Sequence, residues 1–404
     1  MLLTRSYRPP LGSKTLVTIV KTCNTKSCST FLRWLDRHFG VVAIAVLSLF
    51  RAKRKLPADI QRVALIKGDG MGDLVLLTGP VRDLCQAFPN ARVSFWSGSS
   101  AAPLARELTL FDEVHDLNFK EPLSAIHALR AWHADVVIDA GQWSRAEAFI
   151  SAMSGARFII GFQTANQHRH RLCDAAVEHR NDRHELENFR ALFAPLGVTE
   201  RSEPFIDKID NRESQRSLAA PYIVFHMWPS GVTHTHLKRW PENYWASLAE
   251  ACIERGRRVV LTGGRQDVGA TRQWMARFDG ENKIDYRASI SIRETISILQ
   301  NAEAVVSVNT GVMHLAAALG LPTVGLHGPT NAKRWGPVGE RTIALQVSPP
   351  DGAYLNLGFE YPSDAETRQG METISVRDVL QALSKIVLDF PATERRRADE
   401  FVEA

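Results

Sequence analysis

From Arg62 onward, short runs of Val, Ile and Leu alternate with segments of helical length over connections of a few residues, and the alternation occurs twice. In the first round Val63–Ile66, Arg92–Trp96, Glu113–Leu117, Asp135–Asp139 and Arg157–Gly161 read as strands, with helices at Leu74–Phe88, Pro122–Trp132 and Arg145–Met153. Strands that are continuously apolar are buried on both faces, and helical crossovers make their neighbours parallel. The stretch Glu200–Pro221 breaks the pattern with charges, Ser and two prolines. It then restarts with strands Tyr222–Met227, Arg258–Thr262, Ala304–Val308 and Thr323–Leu326, and with helices Pro241–Arg255, Gly269–Phe278, Ile292–Gln300 and Val312–Leu319. A final helix, Ser375–Leu388, follows an irregular stretch.

The fold class predicted is α/β: two Rossmann-like parallel-sheet domains facing a central cleft. The expected boundaries are a basic leader over 1–60 with an amphipathic helix at about 30–50, a first domain over 61–205, and a linker over 206–220. A second domain follows over 221–345, then an irregular stretch and closing helix over 346–390 and a tail over 391–404. Ligands of such sheets bind beyond the carboxyl ends of the strands.

Glycine-rich loops stand at those ends. Lys67-Gly68-Asp69-Gly70-Met71-Gly72-Asp73 follows the first strand and opens a helix. Its spacing is not the G-x-G-x-x-G of a dinucleotide fingerprint, no acid closes the second strand, and no Gly-Lys-Ser/Thr follows, so nicotinamide, flavin and P-loop sites are disfavoured. What remains is a carboxylate, Asp73, in the first turn of a helix facing the cleft. It reads either as a functional acid or as an N-terminal acid stabilised by the helix dipole, and Asp69 has the same two readings.

In the second half Lys238 precedes Arg239-Trp240-Pro241, Gly263 and Gly264 end a strand, and Asn309-Thr310-Gly311 leads into a helix carrying His314. Backbone N–H groups at such helix starts, with a lysine nearby, suit a phosphate. His314 reads as a core histidine or as a donor to phosphate or ribose. No D-x-D pair occurs, which argues against a metal-held nucleotide sugar and against metal catalysis generally.

Charge is divided unevenly. Residues 1–62 hold twelve Lys/Arg and two acids, so the remainder is net −5 within a whole chain of +5. A body without basic excess argues against nucleic acid as partner. The five cysteines show no C-x-x-C spacing, and reduced thiols in the cytosol are expected. Phe31, Leu35, Phe39, Val42, Val46 and Phe50 fall on one helical face before Arg51-Ala52-Lys53-Arg54-Lys55. This helix is too short to span a bilayer, which needs about 20 apolar residues. It either packs on the body or lies in an interface, its basic flank against an anionic inner-membrane surface through residues 30–55. Residues 1–29 show no periodicity and are expected to lack regular structure.

The motifs at Arg62–Asp73, Lys238–Pro241, Leu261–Gly264 and Asn309–Thr330 together resemble glycosyltransferase family 9, the ADP-heptose:lipopolysaccharide heptosyltransferases and relatives. The similarity spans about 60–390. It implies a GT-B fold, an acceptor domain followed by a nucleotide-sugar domain, and inverting, metal-independent transfer with no cofactor. It further implies Asp73 as general base, Lys238 on donor phosphate, and Thr310, Gly311 and His314 on diphosphate and sugar. Asn309, where the family commonly carries an acid, would touch the donor sugar, and Gly263, Gly264 and Asp267 would face the nucleoside. On the acceptor side stand Gly70, Gly72, Asp69 and Arg145, with the stretch His168-Arg169-His170-Arg171 either meeting acceptor phosphates or forming a solvated basic loop. The expected donor is a nucleotide diphosphate sugar, an ADP-sugar favoured, and the acceptor is lipid-linked or lipopolysaccharide core. The expected location is cytoplasmic, peripheral on the inner membrane. A GT-B-shaped epimerase or hydrolase and a non-catalytic nucleotide-sugar-binding protein are the alternatives.

Overall fold

The computed structural model describes residues 39–68, 70–209, 221–229, 235–278, 284–288, 290–328, 330–347 and 370–390. Strands β1 (Arg62–Lys67), β2 (Arg92–Ser97), β3 (Glu113–Asp116), β4 (Val136–Asp139), β5 (Phe158–Gln163) and β6 (Ala175–Glu178) form a sheet of order β3-β2-β1-β4-β5-β6. A second sheet of β7 (Tyr222–His226), β8 (Arg258–Gly263), β9 (Ile284–Ala288), β10 (Ala304–Val308), β11 (Thr323–His327) and β12 (Thr342–Gln346) repeats that winding as β12-β11-β10-β7-β8-β9. Every recorded pairing is parallel. The winding reverses between β1 and β4 in one sheet and between β7 and β10 in the other, where crevices open.

The helices are α1 (residues 39–49), α2 (Met71–Ala87), α3 (Ala102–Ala105), α4 (Pro122–Trp132), α5 (Arg145–Met153), α6 (Glu185–Phe193), α7 (Glu242–Glu254), α8 (Val268–Met275), α9 (Ile292–Gln300), α10 (Gly311–Ala318), α11 (Ala332–Trp335) and α12 (Val376–Ile386). Helix α10 is apolar all round except for His314, and Val312 to Ala318 are all buried. A helix of that kind needs cover on every side. It receives β10 and β11 beneath and α2 of the first domain above. One apolar cluster therefore runs from Val63, Leu74 and Leu77 through Val312 and Leu315 to Val224 and Val305. At about 1.5–3 kcal/mol for each buried aliphatic side chain, this seam holds the domains together at the cleft floor.

The chain crossing between domains joins the seam. The Phe205 N–H donates to Thr78 Oγ1 at 2.9 Å and the Ile206 N–H donates to the Ala318 carbonyl at 3.2 Å. Ile206, assigned to the linker on sequence grounds, is buried, and 210–220 lie outside the described residues.

Helix α1 packs on α5 through Ile44, which meets Ala148 and Leu172. Its outer row, Phe39, Val42, Val46, Leu49 and Phe50, is 52–83% exposed. Residues 30–38 of the expected amphipathic helix lie outside the described ones. Of the basic run after it, Arg51 and Arg54 both grip Asp174 at 2.9 Å, while Lys53 and Lys55 face solvent. Among the described residues no helix is long and apolar enough to cross a membrane.

Candidate active site

The loop after β1 reaches the cleft with Gly70 at φ +106°, in the left-handed region that glycine tolerates. A Cβ there would lie 2.9 Å from Asp73 Oδ2, so the glycine also leaves the carboxylate its room. Asp73 sits in the first turn of α2, and Lys67 at the end of β1 pairs with its Oδ2 at 2.9 Å. Burial pushes the Asp73 carboxyl above the usual range, and the Lys67 ammonium opposes the shift. Asp69 lies outside the described residues.

The second domain meets this loop glycine to glycine. A Cβ on Gly311 would stand 3.1 Å from the Gly72 nitrogen, and one on Gly72 would stand 2.9 Å from His314 Cδ2. The first turn of α10 therefore opens beside the Asp73 loop. Thr310 is buried with its hydroxyl 3.3 Å from Ser307 Oγ, and it leaves the helix start without a side-chain cap. Asn309 Nδ2 donates to Thr330 Oγ1 at 2.6 Å, which fixes the loop rather than leaving the amide free.

Below it lies a group of bases without acids. Burial lowers the pKa of Lys238, at the end of the turn Thr235–Lys238, and no carboxylate offsets the effect. Burial holds His314 and His327 at about 3, and Lys238, His184 and His314 each add to the burden on His327. His327 is 0% exposed, and neither ring nitrogen has a hydrogen-bond partner in good geometry; Nδ1 of His314 also lacks one. Buried polar atoms are ordinarily satisfied; at these depressed pKa values both imidazoles are neutral, each with one N–H to donate and one nitrogen to accept. Among the described residues no group of three or more His, Cys, Asp or Glu is placed to hold a metal ion. His327 was not singled out in the sequence, where its only signal was its place at the end of a buried strand.

Beside this group a cavity of about 270 Å³ lies between the ends of β8 and α2, lined by Met71, Leu104, His226, Thr262, Gly263, Gly264, Ile292 and Val312. Aliphatic side chains share its walls with the hydroxyls of Ser100, Thr262 and Thr295. Asp267 is not among its lining residues, and its Oδ2 accepts the Gly264 N–H at 2.8 Å.

A buried ionic network, invisible in the sequence, ties the two halves. Arg334 of α11 donates through Nε to Glu185 Oε2 at 3.0 Å and through Nη1 to Asn181 Oδ1 at 2.7 Å. Glu185 Oε1 also accepts from His179 Nε2 at 2.7 Å and from Gln142 Nε2 at 3.1 Å, and the Gln142 amide faces Asp73 as well. These partners outweigh burial and hold Glu185 at about 2. His184 Nε2 donates to the Gly336 carbonyl at 3.0 Å, a second link between domains.

Two acceptor-side expectations change. Arg145 is buried and braces the neighbouring loop, donating to the Gln167 and Asn166 carbonyls at 3.0 and 3.1 Å. Arg169, read as part of a basic loop, is 1% exposed and ion-paired with Asp139, so it is neither solvated nor open to a phosphate. The Asp139 carboxylate compensates a guanidinium that the fold has removed from water.

Two doubly wound parallel-sheet domains closing on one cleft are the architecture of glycosyltransferases of the GT-B kind. A model of glycosyltransferase family 9 (heptosyltransferase) matches residues 123–353, and the chain belongs to that family of glycosyltransferases. It is similar to lipopolysaccharide heptosyltransferase 1 of Pseudomonas aeruginosa, 28% identical over 76% of this chain and 90% of that protein. It is also similar to lipopolysaccharide heptosyltransferase 1 of Escherichia coli K12, 25% identical over 74% and 97%. Among solved structures, the E. coli ADP-heptose heptosyltransferase II superimposes with a TM-score of 0.66 at 21% identity, over 81% of this chain and 98% of that one. A family 9 glycosyltransferase from Veillonella parvula does so with 0.67 at 18%, over 84% and 100%.

Proposed function

We propose that the protein transfers a heptose or related sugar, with inversion and without a metal, from a nucleotide diphosphate donor to a lipopolysaccharide-core acceptor. An ADP-sugar is the favoured donor. The observation that carries this reading is the apposition of Gly72 and Gly311, which sets the half-buried carboxylate of Asp73 beside the acid-free pocket of Lys238, His314 and His327.

The nucleoside occupies the cavity at Thr262, Gly263 and Gly264, with Asp267 at its edge. The diphosphate lies on the first turn of α10, against Thr310, Gly311 and Lys238, and the sugar reaches Asn309 and His314. Asp73 takes the proton of the attacking acceptor hydroxyl as the bond from the anomeric carbon to the diphosphate breaks. Inversion requires attack from the side opposite the leaving group, and a cleft between two domains separates base and leaving group in that way. An ionised Asp is a weak base at its ordinary pKa of about 3.9, and burial strengthens it against the opposing Lys67 ammonium. Lys238 and the α10 N–H groups neutralise the departing diphosphate in a pocket drier than water, where such charges act strongly.

The exposed row of α1 and the free Lys53 and Lys55 support a peripheral position on an anionic cytoplasmic leaflet. That position sets the acceptor domain against the membrane that carries the acceptor.

The test is transfer by the full chain from ADP-, UDP-, GDP- and dTDP-sugars to a core-truncated lipopolysaccharide acceptor, in buffer with and without EDTA, with the anomeric configuration of the product read by NMR. Inverted product from an ADP-sugar in EDTA is expected, and Asp73→Asn abolishes it. Release of free sugar without transfer would favour a hydrolase.

A further inference from the structure

The buried carboxyl group of Glu147 has no role in the transfer as described above. It stands at the third position of α5, where Ser144 caps the helix by accepting the Glu147 N–H at 3.3 Å. A glutamate at this spacing ordinarily reaches back to the capping residue. Here only the serine half of that arrangement forms, and the side chain points into the wall of the cleft. The slot it fills is made by two glycines on different loops. A Cβ at Gly68, after β1, would overlap Glu147 Oε1, and a Cβ at Gly141, after β4, would overlap Oε2. Glu147 Oε2 is buried without a hydrogen-bond partner, and the Gly68 N–H faces the carboxylate.

The charged groups facing Glu147 are Lys67 on β1, Asp139 at the end of β4, and Arg169 on the turn Arg169–Leu172. Asp73 lies across Lys67, with Glu185 of α6 and Arg334 of α11 beyond it. Arg169 is committed to Asp139. That leaves Lys67 as the cation that Glu147 and Asp73 share.

We propose that Glu147 is a positioning residue for the base: by drawing on the same Lys67 ammonium, it prevents that cation from fully neutralising Asp73 and so keeps Asp73 basic enough to accept the acceptor's proton. The inference rests on Asp73 being the base. With Glu147 ionised, Lys67 is divided between two carboxylates, and Asp73 binds a proton more tightly. With Glu147 neutral or absent, Lys67 belongs to Asp73 alone, and Asp73 becomes the weaker base. Glu147 takes no proton from substrate, and the group titrates as part of a coupled set, so its effect is read in the macroscopic profile. Burial next to Asp139 holds the Glu147 carboxyl at about 7, within the range an assay can reach.

The experiment is the pH dependence of kcat and KM for the full chain, with ADP-heptose and the truncated lipopolysaccharide acceptor, for wild type, Glu147→Gln, Glu147→Asp and Asp73→Asn. Glu147→Gln keeps the shape of the side chain. Its kcat is expected to match wild type below about pH 6, where the wild-type Glu147 is itself neutral, and to part from it as pH rises through 7 and Glu147 ionises. Its kcat at pH 8 is expected to fall about three- to tenfold with both KM values within about twofold, as for an effect confined to proton transfer. Glu147→Asp, which keeps the charge but withdraws it from Lys67, lowers kcat at pH 8 in the same direction by less, and it decides the matter if the Gln variant fails to fold. A kcat at pH 8 unmoved in the folded variants, with Asp73→Asn inactive, would overturn the role of Glu147 alone. Full transfer by Asp73→Asn would overturn the base assignment, and this inference with it.

Discussion

Replacing Arg334 by Met removes the one guanidinium that crosses from the second domain into the carboxylate of Glu185. Glu185 is 0% exposed, and with Arg334 gone its Oε2 keeps only the Asn188 amide, at 3.2 Å. His179, Arg334 and Gln142 hold this carboxyl at about 2, well below the ordinary glutamate range near 4.5. At about 1.4 kcal/mol per unit, the partners together contribute about 3 kcal/mol to stability at neutral pH, and Arg334 supplies one share beside His179 and Gln142. Breaking one side of a buried ion pair typically costs about 3–5 kcal/mol, and the partners that remain on Glu185 bring the figure for Arg334 below that. The shift is a depression, so the contribution is complete above about pH 4.5 and is lost as pH falls towards 2. Arg334→Met is therefore expected to lose about 1–3 kcal/mol in urea unfolding at pH 7 and less than half of that at pH 3, where Glu185 is protonated in the unfolded chain while still ionised in the folded one. A loss below about 1 kcal/mol at pH 7, or the same loss at pH 3.5 as at pH 7, would refute the argument that Arg334 acts through the charge of Glu185.

His327→Phe removes two unpartnered buried nitrogens, so the unfolding free energy is expected to stay within about 1 kcal/mol of wild type or to rise. Donor affinity measured by calorimetry falls about tenfold or more in the same variant, and unchanged affinity would remove His327 from the anion pocket. Leu49→Ser with Phe50→Ser is expected to cut binding to vesicles of phosphatidylglycerol and phosphatidylethanolamine about tenfold, since two well-exposed apolar side chains lose their insertion energy. Transfer to a soluble acceptor analogue stays unchanged in that pair, and undiminished vesicle binding would rule α1 out as the contact.

The parts of the fold read directly from the sequence are those buried on both faces. Val63 to Ile66 is a continuous apolar run and Ala304 to Val308 is broken only by Ser307, because both are central strands, and each was recognisable for that reason. The unrecognised strands β6, β9 and β12 are all sheet edges; β6 alternates half-buried with exposed residues and β12 has no buried residue. Helix α6, also unexpected, carries Glu185 and Asn188 on its buried face, so a core-facing surface looked polar. The candidate site divides similarly. Asp73, Lys238, Gly311 and His314 stand in glycine loops at strand ends, where chain geometry announces them. Lys67, Gln142, Glu147, Glu185, His327 and Arg334 come from strands, helices and turns whose patterns describe only local structure.

By itself, then, the sequence determined two parallel-sheet domains, loops opening helices at their crevices, and a basic leader set apart from a slightly acidic body, because period, glycine placement and charge are properties of neighbours along the chain. The tertiary structure alone decided which charges face one another. Asp73 shares Lys67 with a glutamate from α5, Arg334 is neutralised by a carboxylate of the other domain, and Arg169 is withdrawn from solvent onto Asp139. Electrostatic interaction depends on distance and burial, and both are set only when helices distant in sequence close over the same cleft.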